Sequence, residues 1–417
     1  MHPAGDILCG VYIFKIFYAL REKSCLALKI LYIIKTNEGA KWAYRQAKWI
    51  NDHCRDVEFV VLMPKDNIGM AKKYKEEGIR VLAADLSLPI KKPWNYFKQK
   101  KQINLIVKKE KPDLIHVHFV TNILFLRFAL RKTDIPRLFQ VPGPLHLEKF
   151  LFRKAEILSS NSFDYWAGAC KKTCDIYLKN NIPKDRVFLC YYGDDIDKIS
   201  KSRASSDFRK EYNIDDSTKI IAMVSYFYKP KRFMMQFRGL KGHEDFIDAF
   251  SEINKRVHNT VAVIVGGPWG NSCKYMEKVK RYAKNKCGDK VIFTGFRDDV
   301  FGLYKEFDVA VHPSLSENLG GALESLASGT PTVSTNIGGF PDIIVNSVSG
   351  LLVPKRNPHS ISEDVIKIIS NPKLAKKMSE NGFKIVKEKC DISVTAKNVY
   401  ECYKKILNRT DVNKFIK

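Results

Sequence analysis

Residues 312–350 read HPSLSENLGGALESLASGTPTVSTNIGGFPDIIVNSVSG, and two carboxylates, Glu317 and Glu324, stand on either side of Gly320-Gly321. The segment 322–328 predicts a helix, 331–335 a short buried strand, and Gly338-Gly339 opens another loop. A loop, helix, strand and glycine loop in that order is how open α/β sheets build ligand crevices at the C-terminal ends of strands. Glycines ahead of a helix let backbone N–H groups approach an anion, and the helix N-terminus favours negative charge there. A carboxylate in such a place needs a reason of its own, and accepting hydrogen bonds from sugar hydroxyls is one. The helix dipole alone would also favour an acid in the loop and another in the first turn. A short motif by itself leaves both readings open.

Taken together, Pro313-Ser314, Glu317, Glu324, Gly329-Thr330-Pro331 and Gly338-Gly339 resemble the C-terminal signature of the retaining glycosyltransferases of family 4, also called group 1 glycosyltransferases. The wording SENLGGALES with GGFPD after it is similar to the capsule and exopolysaccharide branch of that family. Six residues separate the two glutamates, one fewer than the family's usual spacing. The resemblance covers 27–405 and implies an α/β chain of GT-B fold, two Rossmann-like doubly wound domains facing each other across a cleft. The corresponding division is an N-terminal extension (1–26), a Rossmann-like acceptor domain (27–197), a linker (198–218), a donor domain (219–388) and a C-terminal helix crossing back to the first domain (389–417).

Composition agrees with two domains. A chain of 417 residues exceeds the ~100–200 of one domain, and a hydrophobic content of 45% can fill two cores. The formal charge of +26 points to an anionic partner, whether nucleic acid, an acidic membrane surface or a phosphorylated substrate, unless it is only a lysine-rich background. The ten cysteines form no CxxC, and Cys170 and Cys174 sit at helical spacing, so neither a zinc site nor a disulfide framework is indicated. That usage fits the reducing cytoplasm. The apolar stretch 7–20 (ILCGVYIFKIFYAL) is short of the ~20 residues of a spanning helix and is interrupted by Lys15. It lacks a signal-peptidase site. It is open to reading as an interfacial anchor, as an extra helix on the first domain, or as a start placed too early.

Along the chain, 27–35 (ALKILYIIK) reads as a buried parallel strand, followed by Gly39-Ala40 and a helical pattern over 41–51. Gly39 sits where the resembling family has its first glycine loop. Strands are predicted at 57–63 and 80–83, a basic helix at 96–109, and a strand at 114–118. His116 and His118 share a face of that strand. His118, at the strand end, reads as facing the ligand crevice, and His116 as structural. A strand at 135–141 leads into Pro142-Gly143-Pro144, a rigid turn. The VPGPLHLE wording is similar to capsule-type members, which makes His146 either an acceptor-site residue or a plain loop histidine. Segments 160–169 and 186–192 complete the first half. Asp195-Ile196-Asp197 has the look of a metal-binding DxD but lacks that motif's context, so no metal is assigned to it.

The second sheet begins at 219–225, followed by a long basic loop carrying Lys229, Lys231, Arg232, Arg238 and Lys241 ahead of a helix. A cation cluster beside a helix N-terminus makes an anion site, unless it is simply a solvated basic face. Strands follow at 261–265 and 291–294, with a helix at 276–287 between them. The Gly295-Phe296-Arg297 loop is one the family places by the nucleotide base. The segment 308–312 leads into the opening motif, 350–354 follows it, and helices at 361–370, 373–388 and 394–407 close the chain.

The resemblance implies a hexosyl transferase using a nucleotide-diphosphate sugar, with retention at the anomeric carbon. In it Lys241 and Arg238 hold the diphosphate and stabilise its leaving charge. Glu317 holds sugar hydroxyls, Glu324 bonds the ribose, and His118 contacts the transferred sugar. Asn318, Leu319, Gly320 and Gly321 line the donor, together with Gly39 and Gly295. No side chain is an evident nucleophile, the donor phosphate takes the acceptor proton, and no metal or other cofactor is required. The acceptor is expected to be a saccharide or lipid-linked saccharide in cell-surface polysaccharide synthesis. The expected location is cytoplasmic and peripheral on the inner membrane face, where Lys98, Lys100, Lys101, Lys108 and Lys109 would suit acidic lipid. The rival readings are a nucleotide-sugar epimerase of the same fold, a degenerate non-catalytic relative, and a basic nucleic-acid-binding protein. The last lacks a basic helix-turn-helix or an RNA-binding aromatic signature.

Overall fold

The computed structural model describes residues 27–90, 92–230 and 236–415, the stretch 409–415 as backbone only. The apolar stretch 7–20, Lys231 and Arg232 lie outside the described residues. The first sheet is built from β1 (Leu28–Ile33), β2 (Val57–Met63), β3 (Arg80–Ala83), β4 (Leu114–His118), β5 (Arg137–Val141), β6 (Asp164–Gly168) and β7 (Val187–Leu189), in the order β3-β2-β1-β4-β5-β6-β7. The second contains β8 (Lys219–Val224), β9 (Thr260–Val265), β10 (Val291–Gly295), β11 (Val309–His312), β12 (Thr332–Thr335) and β13 (Leu351–Val353), in the order β10-β9-β8-β11-β12-β13. Every neighbouring pair of the second sheet is parallel, as are β2–β3, β1–β2, β1–β4 and β4–β5 of the first.

Parallel strands need helical crossovers that cover both faces, so their sequences are apolar throughout. β8 shows the consequence. Ile221 and Met223 point into a core with Phe246, Phe250 and Ile264, while Ile220 and Ala222 point to the other face with Val263 and Leu303. One strand therefore feeds two cores by its period of two. The sheets use residues 28–189 and 219–353, and the short helices Ile196–Ser200 and Phe208–Glu211 lie between them. By compactness the described residues fall into one unit within 1–140, 158–166 and 396–417 and another of 141–157 and 167–395. In the first unit the closing helix Ile392–Phe415 gives Tyr403, whose hydroxyl hydrogen-bonds His116 Nδ1 of β4 at 2.7 Å. His116 is fully buried, in keeping with a structural part.

Several helix starts lie earlier than periodicity alone suggested. Asn357 and Asn371 accept hydrogen bonds from the backbone of Ser360 and Leu374, with Pro358 and Pro372 in the first turn. An asparagine cap followed by proline is a sequence signal for a start at that point. The helices Met70–Glu76, Val120–Ala129, Phe150–Leu158 and Lys171–Lys179 were not anticipated from the sequence. Helix Val120–Ala129 is apolar nearly all round, so its period is hard to see.

Candidate active site

Each sheet reverses its strand order once, between β1 and β4 and between β8 and β11. In open α/β sheets the crevice outside the strand C-termini at that reversal is where ligands bind. In the second unit the β8–β11 reversal collects the basic loop and the SENLGG loop. The Leu315 N–H donates to Leu240 O at 2.8 Å. That backbone bond joins the two loops, and the Lys241 ammonium forms an ion pair with Glu317 Oε2. Their side chains are only 19% and 14% exposed. The Asn318 N–H donates to Glu317 Oε1 at 3.1 Å and the Gly339 N–H to Glu317 O at 3.4 Å.

The glycines of the motif have a steric function toward Glu317. Gly338 has φ +55, and a Cβ there would overlap the carbonyl oxygen of Glu317. Gly320 has φ +44, and its Cβ would stand 2.9 Å from the Glu317 carboxyl carbon. The helix begins at Gly320, two residues before the sequence reading had it, so both glycines of the pair belong to its first turn and Glu324 to its second. Glu324 is half-buried, and its charge joins burial in pushing the Tyr304 phenol well above its ordinary range. Ser316 and Asn318 flank Glu317 and are both buried. Ser316 Oγ and Asn318 Oδ1 have no hydrogen-bond partner among the described residues. Buried polar atoms are normally satisfied, so such a pair beside an anchored carboxylate marks a place for a polar ligand.

Lys241 also sets the local electrostatics. His243 and His312 are pushed down to about 3, chiefly by burial and then by the Lys241 charge. Both rings are therefore neutral at neutral pH. Arg238 is placed differently from Lys241. Its guanidinium pairs with Asp245, and with Asp248 Oδ2 at 3.2 Å, on helix His243–Arg256, in a cluster that also holds Tyr282 and Lys286. The cation found against Glu317 is Lys241, with Arg238 in a separate acid-rich group.

His146 is positioned from the interior. Its Nε2 lies 2.6 Å from Glu156 Oε2, and Tyr177 donates its hydroxyl to Glu156 Oε1 at 2.6 Å. Glu156 is fully buried, so the imidazole is fixed from below. The turn preceding it packs on the motif loop of the same unit, with a Cβ at Gly143 3.7 Å from the Asn318 nitrogen. Asp195 and Asp197 have structural roles. Asp195 caps helix Ile196–Ser200 by accepting the Lys198 N–H, and Asp197 pairs with Lys387 at 2.9 Å.

In the first unit, Gly39 and Ala40 follow β1 with φ values of +70 and +52. Helix Lys41–His53 starts there with no side-chain cap and no acid in its first turn, so its amide end is left to the loop. Asn37 pins that loop to the next one through Lys65 O at 2.6 Å. His118 ends β4 as expected, but its ring is fully buried between Tyr32, at 4.6 Å, and Trp42, at 5.4 Å. Burial and the neighbouring His116 push its pKa well down, so it is neutral.

Sequence reasoning overlooked an aromatic group at the ends of β8, β9 and β10. Tyr226 stands 5.2 Å from Trp269 and 5.7 Å from Phe296, and Trp269 6.2 Å from Tyr228. Tyr226, Trp269 and Phe296 are 42%, 41% and 62% exposed, uncommon for neighbouring large rings. Tyr228 reaches toward the ion pair. Lys241 Nζ lies 5.8 Å from its ring, and burial followed by the Glu317 charge pushes its phenol up to about 12. The signal was present as YFY, GGPW and GFR, an aromatic just past each of three strand ends. Gly295 lies at the head of the last of these loops with φ +72, where the β10 register shifts.

A family model described as Glycosyl transferase 4-like matches residues 29–162, and one described as Glycosyl transferases group 1 matches residues 205–385. An uncharacterized glycosyltransferase of Methanocaldococcus jannaschii is 32% identical over 240 residues, 56% of this chain and 57% of that protein. The match thus spans little more than half of that relative's length. The N-acetyl-alpha-D-glucosaminyl L-malate synthase of Bacillus anthracis is 24% identical over 301 residues, 68% of this chain and 72% of the relative. The crystal structure of Anabaena HepE with UDP-glucose superposes with a TM-score of 0.74 over 90% of this chain and 98% of that one, at 16% identity. With two parallel Rossmann-like domains, a group 1 domain on the second and the same fold in its structural neighbours, this chain belongs to the GT-B glycosyltransferases.

Proposed function

We propose that the protein transfers a hexosyl group from a nucleotide-diphosphate sugar to a saccharide or lipid-linked saccharide, with retention at the anomeric carbon. In keeping with its capsule-like wording, it would do so in cell-surface polysaccharide synthesis. The observation that carries the reading is the Lys241–Glu317 pair flanked by the unpartnered Ser316 and Asn318 oxygens at the β8–β11 reversal. The UDP-glucose complex of the HepE neighbour and the sugar-transferring name of the malate-synthase relative support it.

In this scheme the diphosphate takes over Lys241, whose charge opposes the negative charge building on the leaving group. Amides of Leu319 to Gly321 assist it. Glu317, released from Lys241, accepts hydrogen bonds from sugar hydroxyls together with Ser316 and Asn318. Glu324 bonds the ribose. The rings of Tyr226, Trp269 and Phe296 stack on the base, beside Gly295. The resemblance adds Gly39 to the donor contacts. His118, as the resemblance implies, contacts the transferred sugar, and His146, oriented by Glu156, binds the acceptor. No metal is needed, because lysine and amide groups do the neutralising. The acceptor is drawn from an acidic membrane surface on the cytoplasmic side.

A thermal-shift screen against nucleotide sugars tests the donor part, since a ligand binding only the folded state stabilises it by mass action. Stabilisation by one nucleotide-diphosphate sugar, then transfer with retained configuration by NMR, is the expected result. Turnover of the donor in the absence of any acceptor would identify an epimerase instead. No response to any nucleoside diphosphate would remove the reading.

A further inference from the structure

Helix Asn95–Glu110 has two unlike faces. Inward, Ile103, Val107 and Glu110 are buried, Tyr96 meets Phe125 edge-on with ring centroids 5.7 Å apart, and Glu110 pairs with Arg80. Outward, Trp94, Phe97, Lys101, Leu105 and Lys108 follow at steps of three, four, four and three residues. At 3.6 residues per turn those steps put all five on one stripe along the helix. The apolar members of the stripe stand in solvent, with Trp94 68%, Phe97 75% and Leu105 59% exposed. Ile90, on the approach to the helix, is 75% exposed. Lys98 and Lys109 flank the stripe and are exposed as well. Residues 92–109 hold six lysines and no acid, and the helix's single acid, Glu110, is turned inward.

Scattered exposed hydrophobics need no explanation. An aromatic pair and a leucine in register with cations of one sign, on a face that packs against nothing described, do need one. We propose that this stripe docks on an anionic lipid bilayer. Indole and phenyl groups sit well at the headgroup boundary, and lysine stems lie along apolar surface with their ammonium groups among phosphates. Charge complementarity selects the lipid, since every charge on this face is positive. Three large apolar side chains left in water favour a bilayer over a nucleic acid, whose backbone is held by cations without them. Among the described residues no helix is long and apolar enough to cross a membrane. The inference deepens the membrane part of the proposed function and rests on it for its purpose, but vesicle binding and donor turnover are separate readouts.

The test is flotation of the full chain with vesicles of phosphatidylcholine alone and of phosphatidylcholine with phosphatidylglycerol. The parent protein floats with the anionic vesicles, less so as salt rises, and stays behind with the neutral ones. Each lysine near an anionic surface contributes about fivefold to partitioning. Lys98→Glu/Lys101→Glu/Lys108→Glu therefore lowers it more than about a hundredfold. Trp94→Ser/Phe97→Ser lowers it at least about tenfold. Both variants keep the parent melting temperature, because the side chains changed are exposed. Variants that float like the parent, or a parent that floats equally on neutral vesicles, overturn the proposal. A parent that ignores vesicles and is retained on single-stranded RNA through the same lysines overturns it too. If vesicle binding follows the expected pattern while no nucleotide sugar is turned over, the docking surface stands and the donor reading fails.

Discussion

Replacing Lys241 and Glu317 separately should move nucleotide binding in opposite directions. The two charges are about four-fifths buried and paired with each other. At ~3 Å and an effective dielectric of ~20 the bare attraction is about 5 kcal/mol, which desolvation and partial exposure reduce to a net coupling of about 1–3 kcal/mol. Lys241→Ala leaves Glu317 without its cation and also removes a charge-assisted contact to the diphosphate, worth about 1.5–3 kcal/mol. UDP affinity should then fall about 10- to 150-fold. Glu317→Gln removes the competitor for Lys241 while keeping an acceptor oxygen and nearly the same volume. UDP should bind about as tightly or up to about tenfold more tightly, because the lysine is no longer held by an internal anion. Transfer should nonetheless slow, by about 10- to 100-fold, since an amide holds the sugar hydroxyls less well than a carboxylate. Calorimetric titration with UDP and a radiolabel transfer assay on the same preparations separate the two effects. If Lys241→Ala leaves UDP affinity unchanged, or if both variants weaken it alike, the pair is a structural salt bridge and the assignment of the site fails.

The remaining predictions concern the scaffold. Gly338→Ala should destabilise the protein by about 2 kcal/mol or more and abolish UDP binding, because the new methyl overlaps the carbonyl oxygen of Glu317 at a left-handed φ. Gly329→Ala, with φ +75 but nothing within 4 Å of the new methyl, should cost only about 1 kcal/mol and leave binding intact, as denaturant titration would show. Ala40 sits at φ +52, so Ala40→Gly should raise stability by about 0.5–1 kcal/mol in the same titration, and a loss would show that the methyl makes a contact worth more than the strain. The buried His116, His243 and His312 carry folded pKa values of about 3 against an ordinary 6.5. The unfolded chain therefore binds more protons than the native one between those values, and stability is complete above pH 6.5 and falls as pH drops through the window. Each histidine contributes a slope of about 1.4 kcal/mol per pH unit well inside it. His243→Phe, which keeps the ring stacked on Phe227 at 4.0 Å, should flatten the dependence measured between pH 6.5 and 5 by part of that slope, and an unchanged profile would count against neutral burial.

Much of the fold was legible because parallel strands must be apolar on both faces. β2, β3 and β4 fall where the runs VEFVVLM, RVLA and LIHVH predict them. Helices were harder where packing overrides pattern. Phe150–Leu158 shows exposed Phe150, Leu151 and Phe152 at one end and, at the other, a buried Glu156 next to an exposed Leu158, the reverse of what an amphipathic stripe leads one to expect. The start of helix Gly320–Ala327 was misplaced because two glycines argue against a helix on propensity. Gly320 lies there close to the Glu317 carboxyl group, an approach between loop and helix that no spacing in the chain announces.

The site shows the same division between what chain order carries and what only three dimensions decide. Lys241 and Glu317 are 76 residues apart, and a motif resemblance brought both into view. The backbone bond from Leu315 to Leu240 that joins their loops has no sequence signature. Arg238 illustrates the converse. Composition makes it as good a phosphate ligand as Lys241, since the two cations stand in the same basic loop. Asp245 and Asp248, one turn apart on the following helix, claim its guanidinium instead. A diphosphate recruiting Arg238 would have to break two ion pairs, whereas recruiting Lys241 breaks one and frees a carboxylate that sugar hydroxyls can use. Under the proposed function, that asymmetry would couple donor binding to sugar recognition at the Lys241–Glu317 pair: the event that engages the phosphate would also uncover the acid.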